Sequence, residues 1–255
     1  MIANYHTHTP LCNHAIGAEI EYVEAAIAGG LQVLGFSDHT PQFFPGQYYS
    51  RMRMKPWELR DYIDTVLQLK EKYAGQLQLH LGLEVEFYPA LFGELMDVLR
   101  DTPVEYLLLG QHWTANEEGQ LYNGHPTRDE KQLKTYCHQT MDAMNTGVFT
   151  YLCHPDILNF IGSDRAYKKH MRKLCQEAKS CNLPLELNLL GLREGRQYPN
   201  RLFWEIAAEE GCTAVLGSDA HSPDHIVQPE TEKAALALVN QLGIRLLDTV
   251  ELKGF

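Results

Sequence analysis

The sequence lacks the features that mark secreted and membrane-spanning proteins. None of its six cysteines forms a C-x-x-C pair, and a chain of this size does not need disulfides for stability. No apolar run approaches the roughly 18 residues that a membrane helix requires. The N-terminus shows no basic segment followed by an apolar stretch, so no signal peptide is expected. These absences favour a cytoplasmic protein with reduced, mostly buried cysteines and no membrane partner.

The sequence also lacks linkers, low-complexity tracts, internal repeats and an excess of positive charge. The formal net charge is −11, which argues against nucleic acid as a partner because an acidic surface repels phosphate backbones. A small phosphorylated substrate stays compatible, since bound cations can invert the local field. A length of 255 residues suits one large α/β barrel or two smaller domains. We expect a single domain over residues 1–255, and the sequence leaves its oligomeric state open.

Short apolar runs alternate with amphipathic helical patterns along the whole chain. The runs predict seven strands, namely Ile2–Tyr5, Val33–Phe36, Leu77–Val85, Tyr106–Leu109, Val148–Cys153, Leu185–Leu189 and Thr213–Leu216. Apolar stripes at helical spacing are formed by Leu59, Tyr62, Ile63, Val66 and Leu67, and by Ala235, Leu238, Val239 and Leu242. Such alternation predicts a parallel sheet buried on both faces, which can be an open sheet or a closed barrel.

Polar residues at the ends of the runs favour the closed barrel. Six of the seven runs deliver His, Asp or Glu at or near their C-terminal ends: His6, His8 and His14, Asp38 and His39, Glu84 and Glu86, His112, His154 and Asp156, and Asp219 and His221. An open sheet concentrates its chemistry at one switch point between two or three strands. An α/β barrel builds its active site from all of its strand ends. We therefore expect a barrel of about seven β/α units with its active site at the C-terminal ends of the strands.

The histidines in this set point to metal ions. Seven imidazoles fall at one predicted mouth, whereas His80, His125, His138 and His170 are expected to lie elsewhere. His6 and His8 share one strand face and can approach one ion together, and Asp219 and His221 have the same spacing. With Glu84 and Asp219 the set has nine members, more than one ion takes and enough for two or three. Glu84 lies on a central strand and is the expected bridge between two ions.

The ordered segments HTHTPLCNHA, FSDH, GLEVEF, GQHW, CHPD and GSDAH resemble the PHP (polymerase and histidinol phosphatase) family. The GLEVEFYP segment and the stand-alone length resemble its histidinol-phosphatase branch most. The resemblance implies a single distorted (β/α)7 TIM-like barrel with three divalent metal ions (Zn, Mn or Fe, in one kind or mixed). It assigns the first ion to His6, His8, Glu84 and Asp219, the second to Glu84, His112 and His154, and the third to His14, His39 and His221.

The implied activity is hydrolysis of a small phosphomonoester, with L-histidinol phosphate of histidine biosynthesis as the leading substrate. Phosphate ester hydrolysis needs a nucleophile at neutral pH and neutralisation of the phosphoryl oxygens, and clustered metal ions supply both. We expect a hydroxide that bridges the first two ions as nucleophile. Glu84, Asp219 and Asp38 are the expected catalytic residues, and the sequence leaves the general acid open between Asp38 and a protonated water at the metal site.

The loops around residues 40–55 and 190–200 are expected to select the substrate. Arg193 and Arg196 are the expected phosphate ligands because a guanidinium grips phosphate through two parallel hydrogen bonds. Arg193 is favoured of the two because it follows Asn188 and Gly191 directly off the strand end. Arg51 and Arg53 are weaker candidates for the same role.

Three other functions fit parts of the pattern. A phosphodiesterase or exonuclease is possible because related domains accompany DNA polymerases, although the acidic charge opposes it. A metal-dependent amidohydrolase also begins with H-x-H after its first strand, but His14, His39 and His221 exceed its two-metal requirement. A non-catalytic metal-binding module agrees least well with a complete ligand set at open strand ends.

Overall fold

Eight parallel strands alternate with helices in the computed structural model, which describes residues 1–255. The strands are β1 (Ala3–Asn4), β2 (Val33–Phe36), β3 (Gln78–Val85), β4 (Tyr106–Leu109), β5 (Phe149–Leu152), β6 (Leu185–Asn188), β7 (Thr213–Gly217) and β8 (Arg245–Leu247). Each strand pairs in parallel with the next one in the chain. The predicted α/β barrel architecture is confirmed, and all seven predicted strands are present.

Eight α-helices connect the strands. They are α1 (Glu19–Ala28), α2 (Leu59–Lys72), α3 (Phe92–Arg100), α4 (Glu130–Met144), α5 (Asp164–Ser180), α6 (Leu189–Glu194), α7 (Arg201–Glu209) and α8 (Pro229–Leu242). Local sequence sets several of their starts: the side chains of Asp129, Ser163 and Asn200 accept hydrogen bonds from backbone N–H groups in the first turns of α4, α5 and α7. None of the helices is both long and apolar enough to cross a bilayer.

The C-terminal rim of the sheet closes between the first and seventh strands. Beyond β1, Thr7 bridges to Ala220 beyond β7, and the His8 N–H donates to the Ala220 carbonyl over 2.9 Å. Seven strands thus surround the mouth. The eighth strand, which the sequence analysis does not predict, pairs only with Thr213–Val215 of β7.

Aromatic side chains fill the barrel interior below the mouth. Tyr106 lies over Gly35 and Gly82, where an added Cβ would approach its side chain to 2.1 and 2.2 Å. Its hydroxyl donates to the carbonyls of Tyr5 (2.7 Å) and Phe36 (3.1 Å). These close contacts require glycine on both strands. At the opposite end, the C-terminal segment packs Val250 and Leu252 against this interior cluster.

All six cysteines are free, and five of them are buried. The prediction of reduced, mostly buried cysteines is confirmed.

Candidate metal centre

The nine ligand positions expected from the sequence converge at the mouth of the barrel. Groups of side chains whose ligand atoms lie within 4.8 Å of one another include His6, His8 and Asp219, then His6, Glu84 and His154, and then His14, His39 and His221. His14 is the most exposed of the nine, and the remaining side chains are buried or nearly so. The structure thus brings together residues from both ends of the chain and from four strands between them.

The first group has the spacing of a single coordination sphere. The Nε2 atoms of His6 and His8 are 3.1 Å apart and lie 3.6 and 3.2 Å from Oδ1 of Asp219. Both Nε2 atoms are 3.6 Å from Oε2 of Glu84. Ligands of a tetrahedral ion with bonds of about 2.1 Å stand about 3.4 Å apart. These four side chains therefore fit one ion.

Glu84 faces two groups with its two oxygens. Oε2 points towards His6 and His8, whereas Oε1 lies 3.0 Å from Nε2 of His154 and 3.8 Å from Nε2 of His112. A carboxylate divided in this way can bind one ion with each oxygen. The geometry agrees with the bridging position expected for this residue.

The third group presents imidazole nitrogens whose tautomers are set by backbone carbonyls. Nδ1 of His14 lies 2.7 Å from the Cys12 carbonyl, and Nδ1 of His221 lies 3.1 Å from the Asp219 carbonyl. Since a carbonyl only accepts, Nδ1 must carry the proton in both rings and Nε2 has its lone pair free for a metal ion. The rings of His14 and His221 stack with centroids 4.7 Å apart, and His39 completes the group.

Carboxylates lie behind three of the candidate ligand imidazoles, on the side away from the mouth. Nδ1 lies 2.8 Å from Glu186 in His6, 3.3 Å from Asp38 in His8 and 3.4 Å from Glu86 in His112. Such partners fix the ring orientation and tautomer of a metal-binding histidine. Neither this role of Glu86 nor the presence of Glu186 at the site was predicted from the sequence. The detectable signal for Glu186 was an acidic residue inside a buried apolar run.

Asp38 belongs to this supporting layer. It is fully buried, its Oδ1 also accepts from the His39 N–H over 2.7 Å, and its Oδ2 accepts from the Thr9 N–H over 3.1 Å. With both oxygens engaged behind His8, the side chain is placed to orient an imidazole rather than to protonate a leaving group.

Buried polar atoms without hydrogen-bond partners concentrate at the mouth. They include Oε2 of Glu84, Oδ1 of Asp219 and Nε2 of His221. Leaving such atoms unsatisfied costs about 1–3 kcal/mol each, and an ion at the centre of each group would satisfy them. The donor set, neutral imidazoles with ionised carboxylates, is one that Zn, Mn and Fe accept.

The electrostatics favour cations at the same place. Burial lowers the pKa of His14, His39 and His221, so these rings are neutral at pH 7 and able to bind metal. Despite their burial, Glu84 and Asp219 have pKa values well below the usual range because imidazoles surround them. Against the effect of burial, Asp219 and Asp38 raise the pKa of His8 to about 9. A proton on the His8 ring neutralises part of the negative charge of these carboxylates, which bound metal ions would neutralise in its place.

Two of the ligands lie on unusual backbone. His154 and Asp219 have φ values of 28° and 46°, in or near the left-handed region that side chains other than glycine rarely adopt. Such conformations cluster at functional sites, where the surrounding structure enforces them. Here they turn the ends of the fifth and seventh strands towards the metal groups.

A cavity of about 440 Å³ opens above the metal groups. Its walls include Arg51, Met52, Tyr122, Leu190, Glu194, Arg196 and Tyr198. The Arg196 guanidinium donates to Glu194 (2.8 Å) and to the Tyr198 hydroxyl (3.1 Å). Both loops expected to select the substrate therefore reach the cavity.

The four candidate arginines have different surroundings. Arg51 and Arg196 line the cavity, whereas Arg193 lies beside it with one long hydrogen bond, 3.4 Å, to the Ser218 carbonyl. Arg53 is buried and paired with Glu86 and Glu117, and each of its three nitrogens already has a partner. Of the two residues expected to grip phosphate, Arg196 lines the cavity, whereas the favoured Arg193 lies outside its lining and keeps Nε and Nη2 buried without hydrogen-bond partners.

The family model for the PHP domain matches residues 4–189. A probable histidinol-phosphatase of Deinococcus radiodurans is 31% identical over 234 residues, which are 88% of this chain and 88% of that protein. The histidinol-phosphatase of Bacillus subtilis is 26% identical over 247 residues, with 85% of this chain and 92% of that protein covered.

A solved structure shows the same fold. The crystal structure of a histidinol phosphate phosphatase from Lactococcus lactis, complexed with zinc, L-histidinol and phosphate, superimposes with a TM-score of 0.74 at 18% identity. The match covers 98% of this chain and 96% of that one. With the family model matching well over half of its length and a relative above 30% identity along most of it, the chain belongs to the PHP family.

Proposed function

We propose that this chain is a metal-dependent phosphatase that hydrolyses L-histidinol phosphate to L-histidinol and phosphate. The observation that supports this proposal is that the two oxygens of Glu84 face two different groups of imidazoles. These groups lie beneath a cavity whose lining includes arginine. The names of its relatives and of the Lactococcus lactis structure support the substrate. The cavity, about 440 Å³, is large enough for a molecule of that size.

The residues would hold three divalent ions. His6, His8, Glu84 and Asp219 suit the first, Glu84, His112 and His154 the second, and His14, His39 and His221 the third. Bound at these positions, the ions would supply a nucleophilic water at neutral pH and neutralise the phosphoryl oxygens. Zinc is supported by the Lactococcus lactis complex, and manganese or iron suits the same ligands.

The protein's own groups orient the ions and the substrate. Glu186, Asp38 and Glu86 fix the imidazoles that must keep their lone pairs directed inward. Arg196, aligned by Glu194 and Tyr198, would bind phosphoryl oxygens from the cavity wall.

A phosphate-release assay tests the substrate. The enzyme, stripped of metal and reloaded with Zn, Mn or Fe in separate samples, is given L-histidinol phosphate and a panel of other phosphorylated metabolites. We expect the highest kcat/KM for L-histidinol phosphate. Release from other esters alone would refute the substrate and leave the phosphatase activity standing.

A pair of variants tests the metal site. Glu84→Gln keeps the side-chain volume but removes the charge and one of the two ligand oxygens, so we expect loss of bound metal and of activity. Glu105→Gln, at a salt bridge to Lys70 remote from the mouth, is the matched control. Normal metal content and rate in Glu84→Gln would refute the bridging role.

Two measurements separate the proposal from its alternatives. A metal content near three ions per chain favours the phosphatase over a two-metal amidohydrolase. Incubation with a DNA 3′-end beside L-histidinol phosphate distinguishes an exonuclease, which would release nucleotides in preference to phosphate.

A further inference from the structure

Arg53 is the most deeply buried basic side chain of the loop between β2 and α2. It is 1% exposed, and each of its three nitrogens has a partner. Nη2 donates to Oε1 of Glu86 over 2.6 Å, Nε to Oε2 of Glu117 over 3.0 Å and Nη1 to the Thr40 carbonyl over 3.2 Å. A buried guanidinium is expensive to desolvate and persists only where such partners fix it. The role of these contacts follows from the groups that Glu86 and Glu117 contact in turn.

Glu86 connects Arg53 to a metal ligand. Its Oε1, which accepts from Arg53, lies 3.4 Å from Nδ1 of His112. Its Oε2 accepts from the backbone N–H groups of His112 and Trp113, both over 3.1 Å. Glu86 therefore fixes the backbone at His112 through two hydrogen bonds and stands within ion-pair distance of its ring. Arg53 supplies the only basic side chain paired with this carboxylate apart from that imidazole.

Glu117 connects Arg53 to the outer part of the same loop. Its second oxygen accepts from the Tyr48 hydroxyl over 3.0 Å. Arg51 and Met52, directly before Arg53, line the cavity. The position of Arg53 thus determines where these two cavity residues stand.

We infer that Arg53 is a positioning residue that couples the substrate loop to the metal ligand His112 through Glu86. The inference rests on the metal site of the proposed function. Glu86 transmits the effect to the metal, whereas Glu117 transmits it to the loop. A lysine cannot replace the arginine fully because a single ammonium lacks the planar fork that reaches both carboxylates.

Zinc binding tests the first half of the coupling, from Arg53 through Glu86 to His112. Bound zinc per chain is measured at equilibrium against a chelator of known affinity for the wild type, Glu86→Gln, Arg53→Met and Arg53→Lys. We expect Glu86→Gln and Arg53→Met to bind one ion about 10–100-fold more weakly, and Arg53→Lys to recover part of that loss. Arg60→Met, which breaks only an exposed pair with Asp64, is the matched control and should bind zinc as the wild type does.

Kinetic measurements test the second half of the coupling, from Arg53 through Glu117 to the substrate loop. With p-nitrophenyl phosphate at saturating zinc, Glu117→Gln should raise KM while zinc affinity and kcat stay near wild type. Glu86→Gln should mainly lower kcat, and Arg53→Met should do both. A structural role alone would not separate KM from kcat in this way.

The inference is overturned if Glu86→Gln and Arg53→Met, each shown by thermal unfolding to be folded, bind zinc with wild-type affinity. It is also overturned if Glu117→Gln loses zinc as Glu86→Gln does. A wild-type chain that binds no zinc, manganese or iron would instead refute the proposed function and remove the site on which the inference rests.

Discussion

Replacing Gly110 by alanine should disable the metal centre without replacing any of the proposed ligands. Gly110 follows β4 and lies against the Glu84 carboxylate. A Cβ added there would stand 1.9 Å from Oε1 of Glu84 and 2.6 Å from its carboxyl carbon. Because real Cβ atoms essentially never come closer than 3.0 Å, the carboxylate oxygen must withdraw by about 1.1 Å.

The size of the effect follows from that displacement. Misplacing a positioned catalytic group by about 1 Å can cost about 100-fold in rate, and forcing a methyl group into a packed interior costs about 1–3 kcal/mol of stability. We therefore expect Gly110→Ala to lose at least about 100-fold in kcat/KM, to bind less metal and to unfold several degrees lower.

The assay is metal content per chain together with phosphate release. The matched control is Gly93→Ala in α3, where an added Cβ has no neighbour within 4 Å and helix propensity favours alanine by up to about 1 kcal/mol. This control should keep full activity. The reasoning is refuted if Gly110→Ala keeps wild-type metal content and rate, or if the control loses as much.

Three other predictions concern substrate, metal and pH. Arg196→Ala should raise KM by about 10–100-fold, the worth of a charged hydrogen bond, and by more than Arg193→Ala; the reverse order in steady-state kinetics would move the phosphate grip to Arg193. Chelation should lower Tm and abolish activity, with both restored by added metal, since a ligand at 100 times its Kd stabilises the folded state by about 2.7 kcal/mol; an unchanged Tm in scanning fluorimetry would contradict it. Against the effect of burial, hydrogen bonds from His80 and Lys70 lower the pKa of Glu105 to about 2. The folded-state pKa is depressed, so this partly exposed group contributes modest stability above pH 4.5 that is lost as the pH falls towards 2, and the Tm difference between wild type and Glu105→Gln should shrink over that range.

The strands and most of the candidate site could be predicted because strands that are buried on both faces appear in the sequence as continuous apolar runs. Val33–Phe36 and Tyr106–Leu109 coincide with β2 and β4, and the remaining runs differ from their strands by one residue at one or both ends. Strand β6 ends one residue before the run Leu185–Leu189 does, since the side chain of Asn188 accepts from the Gly191 N–H and starts α6. Once the strands were predicted, the side chains that follow them could be assigned to the barrel mouth from strand order alone.

The parts that escaped prediction depend on packing that no local pattern records. Strand β8 is three residues long and partly exposed, so Arg245–Leu247 forms no apolar run. Arg53 has no local signal that separates it from Arg51, although one is buried between carboxylates and the other lines the cavity. Glu186 became interpretable only once β6 was placed beside His6.

The pairing of Thr7 with Ala220 has a consequence for how the protein is made. The contact between Ser218 and the His6 carbonyl spans 212 positions of the chain, and the first and third metal groups need Asp219 and His221. During synthesis, which proceeds from the N-terminus at about 5–20 residues per second, only the group of Glu84, His112 and His154 can be complete before the last strands emerge. In the proposed three-ion site, the ligand sets of the first and third ions would therefore be complete only after the two ends of the barrel have met.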